Sequence, residues 1–510
     1  MARLLNRLSG YFPAALATAL PVVFLPTAGD SYILPRASLV VAGACLGLGL
    51  ALVAGRATGL GALKWPAIAS AVAALVAFAF SISWPLSLAG SYSRYESLPM
   101  RLSYVGLLVS TAWLLRDRLQ REWLVAGFVF GTCVASLEGV QQWATHVAFR
   151  PDGNLGNANL LAALVAMAFP LAIQRALRRD AFVFAWAGAV VVLTAGWWVT
   201  TSRSGAFAML AGALTLVVFA VRGRALIGAV VGSAAVIAIG MVALLASPLR
   251  VLNNDPPDLR LHLWGDGLRL VAARPLTGWG EDSTGLSFGH YLSTDYASLV
   301  TFDRVHNGLL DIAAAQGLLG LVALGSVLLV LFRAAWRQRL DSDVAALAAA
   351  LAGYSVWVLF NFDWAPVTGP FWLLAGTLWW SAGPPPHSSG DGPLGRMGVS
   401  AAIAVLLVIA AVVFAVFPLL ADVWYLQGRS DLAIRVDPFQ AQYHWAIGTL
   451  PELRRAADLG ETTPDLYVQL GDAERHAGNI TAARRAYERA LEIDPYFTPA
   501  SQRLSALDHG

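Results

Sequence analysis

Two arginines and a histidine occur next to long apolar runs, where charged side chains are costly. Arg203 lies in a short polar turn between two such runs, Arg260 opens an amphipathic segment, and His306 begins another run. A guanidinium pairs with phosphate oxygens through its planar donor fork and does not lose its charge. A neutral imidazole accepts the proton of an attacking hydroxyl. Together these residue types suit an anionic, lipid-linked substrate with a diphosphate leaving group.

Each of these residues also has a simpler interpretation when it is taken singly. Arg203 fits an interfacial arginine that extends towards lipid headgroups. Arg260 fits a solvated charge, and His306 fits a helix cap or a surface histidine. The chemical interpretation therefore depends on whether the surrounding elements bring the three side chains together on one side of a membrane.

The composition of the chain indicates a membrane protein. Of its 510 residues, 57% are hydrophobic and 13% are charged, against roughly 25% charged residues in ordinary soluble domains. A soluble fold of this size has too much surface to hide so many apolar side chains. This excludes a soluble enzyme, a nucleic-acid-binding protein and a disordered chain, and it predicts an all-α polytopic membrane protein.

The apolar runs predict about 12–13 transmembrane helices of roughly 20 residues each. They cover residues 11–28, 36–54, 66–85, 99–115, 123–146, 157–174, 181–199, 204–221, 225–247, 307–332, 343–360, 365–381 and 398–420. Arginines are concentrated in alternate connections, including those with Arg116, Arg175 and Arg333. Because basic connections stay cytoplasmic, we expect a cytoplasmic N-terminus and an extracytoplasmic C-terminus. If the last run did not cross, the C-terminal part would face the cytoplasm.

Two parts of the chain extend beyond the predicted spans. We expect a transmembrane domain at residues 1–420, with a large extracytoplasmic loop at 248–306, and a helical-repeat tail at 421–510. The loop begins with a polar turn at 253–258 and continues as a helix over 259–273. Trp264, Leu268 and Val271 form one apolar stripe of that helix, which suits a position on the membrane surface.

The tail carries the pattern of a tetratricopeptide repeat. The signature positions are occupied by Tyr467, Leu470, Gly471, Gly478, Ala483, Tyr487, Ala490 and Pro495. Fewer than three good repeats rarely form a stable unit alone. We therefore expect the tail to pack on the membrane domain or on a protein partner, since repeats form concave binding surfaces.

The sequence motifs of other classes of membrane protein are not found in this chain. The sequence has no glycine-rich phosphate loop and no His-Glu-x-x-His motif, so a nucleotide-driven pump and a metal-dependent transferase are not supported. We predict neither a metal nor a cofactor. A transporter of lipid-linked glycan would need cations along a path through both leaflets, and a repeat scaffold would give no reason for the three residues to meet.

Several motifs, in order along the chain, resemble those of the bacterial O-antigen ligase/polymerase family of membrane glycosyltransferases. They are Gly153-Asn154-Leu155-Gly156-Asn157-Ala158-Asn159, Thr201-Ser202-Arg203-Ser204-Gly205, Arg260-x-x-x-Trp264 with Arg274-Pro275-Leu276-Thr277-Gly278-Trp279-Gly280, and Val305-His306-Asn307-Gly308-Leu309-Leu310 with Gly317-Leu318-Leu319-Gly320. Gln316 stands where many members carry an acid. The resemblance covers about residues 150–330.

The resemblance implies a metal-independent, inverting glycosyltransferase of the GT-C type in the bacterial inner membrane. Its donor would be a polyprenyl (undecaprenyl) diphosphate-linked glycan, transferred on the periplasmic side to a lipid, glycan or protein hydroxyl. Arg203 and Arg260 would stabilise the diphosphate, and His306 would orient or deprotonate the acceptor. Substrate binding is also assigned to Arg274, Arg304, Asn307, Trp264 and Asn157. Ligase, polymerase and protein O-oligosaccharyltransferase activities share these motifs and remain open alternatives.

Overall fold

The computed structural model describes residues 8–246, 257–296, 301–383 and 395–508. Within these ranges the chain forms helices and connecting loops, without a strand. The membrane part contains α1 (Phe12–Val22), α2 (Ile33–Val53), α3 (Lys64–Ala79), α4 (Trp84–Ala89), α5 (Leu98–Leu114), α6 (Arg118–Ala144), α7 (Ala158–Leu177), α8 (Val183–Thr200), α9 (Arg203–Ala220), α10 (Gly223–Ala246), α11 (Pro257–Ala273), α12 (Gly285–Phe288), α13 (Gly308–Arg337), α14 (Ser342–Trp357), α15 (Ala365–Ala382), α16 (Gly395–Ala411) and α17 (Phe417–Leu426). A single π-helical turn, Val412–Val416, joins α16 to α17.

The polytopic membrane architecture predicted from the sequence is confirmed. In the described part of the chain, 10 helical stretches are long and apolar enough to cross a membrane. The other three predicted spans correspond to α1, with 11 residues, α5, with 17, and α15, with 18. These helices are shorter or less apolar, and they contribute to the buried core of the bundle.

Small side chains make up much of that core. Alanines of α7 between positions 162 and 168, and of α14 between 345 and 350, are buried together with leucine and valine. Between membrane helices, small residues let backbones approach closely and strengthen packing. Helix α9 packs against both α7 and α14, which fixes the start of α9, at Arg203, to the centre of the bundle.

Polar side chains define where three of these helices begin. Asn157 accepts a hydrogen bond from the backbone N–H of Asn159 at 2.8 Å and caps α7. Ser202 caps α9, and Asn307 caps α13 by the same kind of contact. Such caps satisfy backbone donors that the first helical turn leaves without partners. All three capping residues belong to the motifs described above. One structural role of these motifs is therefore to fix where the helices begin.

The connections after alternate helices meet on one side of the bundle, which we call the loop face. The loop face consists of the connections 23–32, 80–97, 145–157, 201–202, 274–296, 301–307 and 358–364. The side chain of Asn154 donates to the carbonyl of Val22 at 2.7 Å, and the backbone N–H of Ser91 donates to Asp282 at 2.9 Å. These contacts join connections that are far apart in sequence.

The opposite face of the bundle is rich in arginine. Arg121 and Arg178 both form ion pairs with Asp343, the first acid of α14. Arg175 lies 3.5 Å from Glu122, and Arg56 donates to the carbonyl of Leu114 at 2.7 Å. Arg3 and Arg7 lie outside the described residues.

The predicted surface helix is present as α11, with a different buried stripe. Leu263 and Leu270 are buried, Trp264 and Val271 are partly buried, and Leu268 is exposed. Leu263 and Leu270 form a second apolar side, which packs against α13 and the loop. The position of the Trp264, Leu268 and Val271 stripe on the membrane surface stays a prediction. Most of the predicted turn at 253–258 and of the linker at 383–395 lies outside the described residues.

The tail consists of short paired helices that pack on the loop face. Its helices are α18 (Ser430–Val436), α19 (Ala441–Ile447), α20 (Leu450–Leu459), α21 (Pro464–His476), α22 (Ile480–Ile493) and α23 (Thr498–Asp508). Leu86 of α4 and Leu286 of α12 belong to the same buried cluster as Leu466 and Ile493 of the tail. The tail thus packs against the membrane part, the first of the two arrangements expected from the sequence.

A single carboxylate joins the last membrane helix to this assembly. Asp422 of α17 accepts hydrogen bonds from the backbone of Asp30 at 2.7 Å and from the hydroxyl of Tyr92 at 2.8 Å. It also accepts one from Tyr443 of the tail at 3.2 Å. The tail and the loop face therefore lie on the same side of the bundle.

Candidate active site

The predicted site residues meet around the connection between α14 and α15, residues 358–364, which we call the central loop. The carbonyl oxygen of Phe360 accepts a hydrogen bond from Arg260. The ring of Phe360 lies 6.1 Å from that of Trp264 and 6.0 Å from that of Phe207, one turn after Arg203. Phe360 thus connects α11 to the start of α9.

The next two residues of the central loop extend this junction. The side-chain amide of Asn361 donates to the hydroxyl of Ser204 at 3.1 Å. The ring of Phe362 lies 5.2 Å from the imidazole of His306, and the guanidinium of Arg94 lies 4.7 Å from the same ring. The central loop therefore has the Arg203 turn on one side and His306 on the other.

The turn that carries Arg203 is held by the asparagine motif before α7. The hydroxyl of Ser202 donates to the side-chain oxygen of Asn159 at 2.9 Å, and Arg150 donates to the same oxygen at 3.1 Å. Arg150 also donates to the carbonyl of Thr200 at 3.3 Å. Two motifs that are separate in sequence therefore form one hydrogen-bonded unit, with the half-buried Arg203 at its edge.

Strained backbone conformations are concentrated around the same place. Seven non-glycine residues of the described ranges have positive φ, and five of them lie on the loop face near the central loop. These five are Ser93, Tyr95, Thr201, Asp282 and His306. Such conformations cost on the order of 1–3 kcal/mol each and persist where the surrounding contacts enforce them, often at functional sites. The contacts around His306 therefore fix its backbone in a conformation that non-glycine residues seldom adopt.

Two of the motifs interlock through their backbones. Helix α13 is interrupted at Gly317, where φ is 67° and ψ is −166°. The segment 274–280 docks at this break: the N–H of Leu318 donates to the carbonyl of Pro275 at 2.7 Å, and that of Trp279 donates to Ala314 at 2.8 Å. A Cβ atom on Gly317 would lie 2.2 Å from the carbonyl oxygen of Leu276. The glycine is therefore required for the loop to dock.

A buried ion cluster ties the docked segment to the central loop. The guanidinium of Arg101 lies 3.0 Å from Glu281, 2.8 Å from Asp363 and 3.6 Å from Glu96. Burial raises the pKa of Glu96 to about 7. The side-chain amide of Gln316 donates to Glu281 at 2.5 Å. An acid at position 316 would face the Glu281 carboxylate, which gives a physical reason for the amide at this position.

Ion pairs also hold the segment that leads into His306. Asp303 pairs with Arg94 at 2.8 Å, and the buried Arg304 pairs with Asp282. Burial alone would raise the pKa of Asp303, but the adjacent Arg94 outweighs it and holds that pKa below its ordinary value. Breaking a buried pair costs about 3–5 kcal/mol, so these contacts fix the approach to His306.

A cavity of about 170 Å³ adjoins the ion cluster. Arg101, Asp363 and Gln316 line its polar part, and its lining on α13 runs from Gly308 to Leu328. The lining therefore includes residues of α13 on both sides of the helix break at Gly317. The described residues contain no group of three or more histidines, cysteines or acids arranged to hold a metal ion.

The remaining predicted residues have other contacts. Asn157 and Asn307 cap helices, and Arg304 is engaged by Asp282. Arg274 lies at the far end of α11, 4.6 Å from the ring of Trp279. The structure thus brings Arg203, Arg260, Trp264 and His306 to the central loop, and it does not bring Arg274 there.

Sequence reasoning missed the central loop and the two acids after the glycine motif. These residues are Phe360, Asn361, Phe362, Asp363, Glu281 and Asp282. A signal for the central loop was present, because Asn361 and Asp363 interrupt the apolar sequence between two predicted spans. Phe360 and Phe362 carried no such signal, since phenylalanine is an ordinary residue in the apolar sequence of a membrane protein.

Comparison with known proteins supports the family resemblance for the part of the chain that holds the later motifs. Residues 188–325 match the family model described as O-antigen ligase, and residues 464–507 match that of a tetratricopeptide repeat. The comparison with curated proteins gave no match. The first match contains Arg203, Arg260 and His306. The chain therefore carries a domain of the O-antigen ligase family, whose members are glycan-transferring ligases and polymerases of membranes, and ends in a tetratricopeptide repeat.

Proposed function

We propose that this protein is a glycosyltransferase that moves a glycan from a polyprenyl diphosphate to an acceptor hydroxyl at the central loop. The observation that carries the proposal is the convergence on Phe360–Phe362 of Arg260, of the turn that bears Arg203, and of His306. No single motif requires this arrangement, whereas transfer from a diphosphate needs both cations and a base in one place.

The reaction follows from the chemistry of these groups. The acceptor oxygen attacks the anomeric carbon while the bond from that carbon to the diphosphate oxygen breaks, which inverts the anomeric centre. His306 takes the hydroxyl proton, a role worth roughly 10²–10⁴-fold in rate. Arg203 and Arg260 stabilise the charge that develops on the diphosphate, as donors fixed in advance of the reaction. The largely apolar lining of the cavity beside α13 suits an apolar segment of the donor lipid.

We place the reaction on the extracytoplasmic side of a bacterial cytoplasmic membrane. The arginine-rich face, with Arg121, Arg175 and Arg178, lies opposite the central loop, and basic connections stay in the cytoplasm. This arrangement also disfavours a transporter of lipid-linked glycan. These arginines of the arginine-rich face form ion pairs with Asp343 and Glu122, and they do not line a route across the membrane.

The central experiment is reconstitution of the purified protein with an undecaprenyl-diphosphate oligosaccharide. Core lipid, free oligosaccharide and peptide acceptors are offered in parallel, and glycan transfer is measured by mass spectrometry. We expect transfer to core lipid. Transfer only to oligosaccharide or only to peptide would instead identify a polymerase or a protein oligosaccharyltransferase, and transfer to none of them would contradict the proposal.

Two variants test the roles of the side chains. His306→Ala should reduce transfer at least 100-fold with normal folding, and the exposed His262→Ala on α11 serves as its control. Arg203→Lys should reduce transfer about tenfold or more, because an ammonium does not reproduce the donor fork. Arg222→Lys, just beyond the other end of α9, is the matched control. Equal rates for each variant and its control would remove the assigned role.

A further inference from the structure

A second cavity, of about 420 Å³, lies at the junction of the membrane part and the tail. Its apolar wall includes Leu34 and Val41 of α2, Phe414 of the π-helical turn, and Phe439 of the tail. Its volume is within the roughly 300–1,000 Å³ typical of ligand sites. Its lining residues are all different from those of the cavity beside Arg101, so it is a separate site.

The cavity is accessible from the lipid-facing surface of the bundle. Val413 and Phe414 line it and are also exposed on the outside of the π-helical turn. A single π-helical turn within a helix is rare and is found mostly at functional positions. A molecule from the bilayer therefore reaches this cavity without crossing the protein core.

Two buried hydroxyls give the cavity a polar inner wall. Tyr95 is 6% exposed and Ser38 is 7% exposed, and both line the cavity. Neither hydroxyl oxygen has a hydrogen-bond partner among the described residues. Leaving a buried hydroxyl without a partner costs on the order of 1–3 kcal/mol. Both groups are therefore available to a bound molecule with polar atoms at this depth.

Two opposite charges lie at the tail end of the same cavity. Arg435 and Asp437 both line it, and neither forms an ion pair with a residue that the structure describes. Burial raises the pKa of Asp437 to about 6, so its carboxyl is ionised at pH 7.5. The site thus offers one cation and one anion above an apolar interior.

We propose that this cavity binds a zwitterionic phospholipid whose headgroup combines a phosphate with a primary ammonium, as in phosphatidylethanolamine. Arg435 pairs with the phosphate and Asp437 with the ammonium. The hydroxyls of Tyr95 and Ser38 donate to the ester oxygens, and one acyl chain enters between Leu34 and Phe414. A purely anionic headgroup would leave Asp437 facing a like charge, which makes it the poorer ligand.

The test measures lipid binding by the full-length, delipidated protein in detergent with native mass spectrometry. The probes are dioleoyl phosphatidylethanolamine and dioleoyl phosphatidylglycerol, titrated separately at pH 7.5. We expect the ethanolamine lipid to bind at least fivefold more tightly. Arg435→Gln should weaken its binding about tenfold, whereas Arg429→Gln, an exposed arginine outside the cavity, should leave it unchanged.

Three further variants separate binding of the headgroup from binding of the acyl chain. Asp437→Asn should remove the preference for the ethanolamine lipid over the glycerol lipid. Ala37→Phe, which fills the apolar interior, should abolish binding of both, and Tyr95→Phe should weaken binding in a protein with an unchanged melting temperature. Equal affinity for the two lipids, binding insensitive to Arg435→Gln, or no bound phospholipid at all would overturn the proposal.

Discussion

Replacement of Gly317 by alanine should disrupt the docking of the 274–280 segment on α13. At this position φ is 67° and ψ is −166°, a region accessible essentially only to glycine. The new Cβ would lie 2.2 Å from the carbonyl oxygen of Leu276 and 2.7 Å from the backbone nitrogen of Thr277. Because both neighbours are backbone atoms, the loop has to move as a whole.

The magnitude follows from what the movement breaks. The conformation itself costs an alanine on the order of 1–3 kcal/mol. Three backbone hydrogen bonds, donated by Leu318, Trp279 and Gly280, join the segment to α13, and each contributes about 1 kcal/mol net. We expect a destabilisation of about 4–6 kcal/mol if the loop undocks. Transfer activity should fall at least tenfold, because the contact of Gln316 with Glu281 moves too.

Gly325→Ala on the same helix is the matched control. A Cβ at Gly325 would meet no atom within 4 Å, and alanine favours a helix over glycine by roughly 1 kcal/mol. The apparent melting temperatures of both variants are measured in detergent, together with transfer of the lipid-linked glycan. We expect Gly317→Ala to melt several degrees lower and Gly325→Ala to melt at or above the parent protein. Matching melting temperatures and activities for the two variants would refute the proposed role of the helix break.

Four other perturbations have defined outcomes. The pKa of Glu96 is about 7 in the folded protein, against 4.5 for an ordinary glutamate. Between these pH values the folded state keeps a proton that the unfolded chain releases, so the melting temperature should fall as the pH rises from 4.5 to 7. This fall should be less steep in Glu96→Gln. Asp343→Asn should lower the free energy of unfolding by about 3–5 kcal/mol, because the buried ion pair with Arg121 is lost. The melting temperature should fall accordingly, whereas Asp180→Asn, at an exposed position, should leave it unchanged. A cysteine introduced by Ser501→Cys should react with a membrane-impermeant maleimide added outside intact spheroplasts, and labelling only after lysis would reverse the proposed orientation. If guanidiniums rather than a metal neutralise the diphosphate, as we propose, a chelator should leave transfer intact. Inhibition that Mg²⁺ restores would contradict this.

The parts of the fold that follow local rules were predictable from the sequence. Apolar runs of spanning length predicted the membrane helices, and the spacing of small and aromatic residues predicted the repeat, in which Tyr467, Ala483 and Tyr487 are buried as expected. The motif order also located Arg203, Arg260 and His306. These features depend on hydrophobic burial and helix periodicity, which act over a few residues.

The contacts that assemble the site were not predictable in the same way. Asp422 meets Asp30 and Tyr92 across more than 300 positions, and a lone aspartate near the end of an apolar run identifies no partner. Phe360 and Phe362 are ordinary apolar residues of a membrane protein until their loop is placed between α9 and α13. Such contacts follow from tertiary packing, which a single sequence does not encode in any local pattern.

The tail belongs to the architecture of the site as well as to its surroundings. Thr301 donates to Asp494 at the end of α22 at 3.1 Å, and the carbonyl of Asp303 accepts from Thr284 at 3.1 Å. These contacts hold both ends of the segment whose next residues are Arg304 and His306. The positive φ of His306 persists only while its surroundings enforce it. The repeat therefore helps to fix the segment that leads to His306.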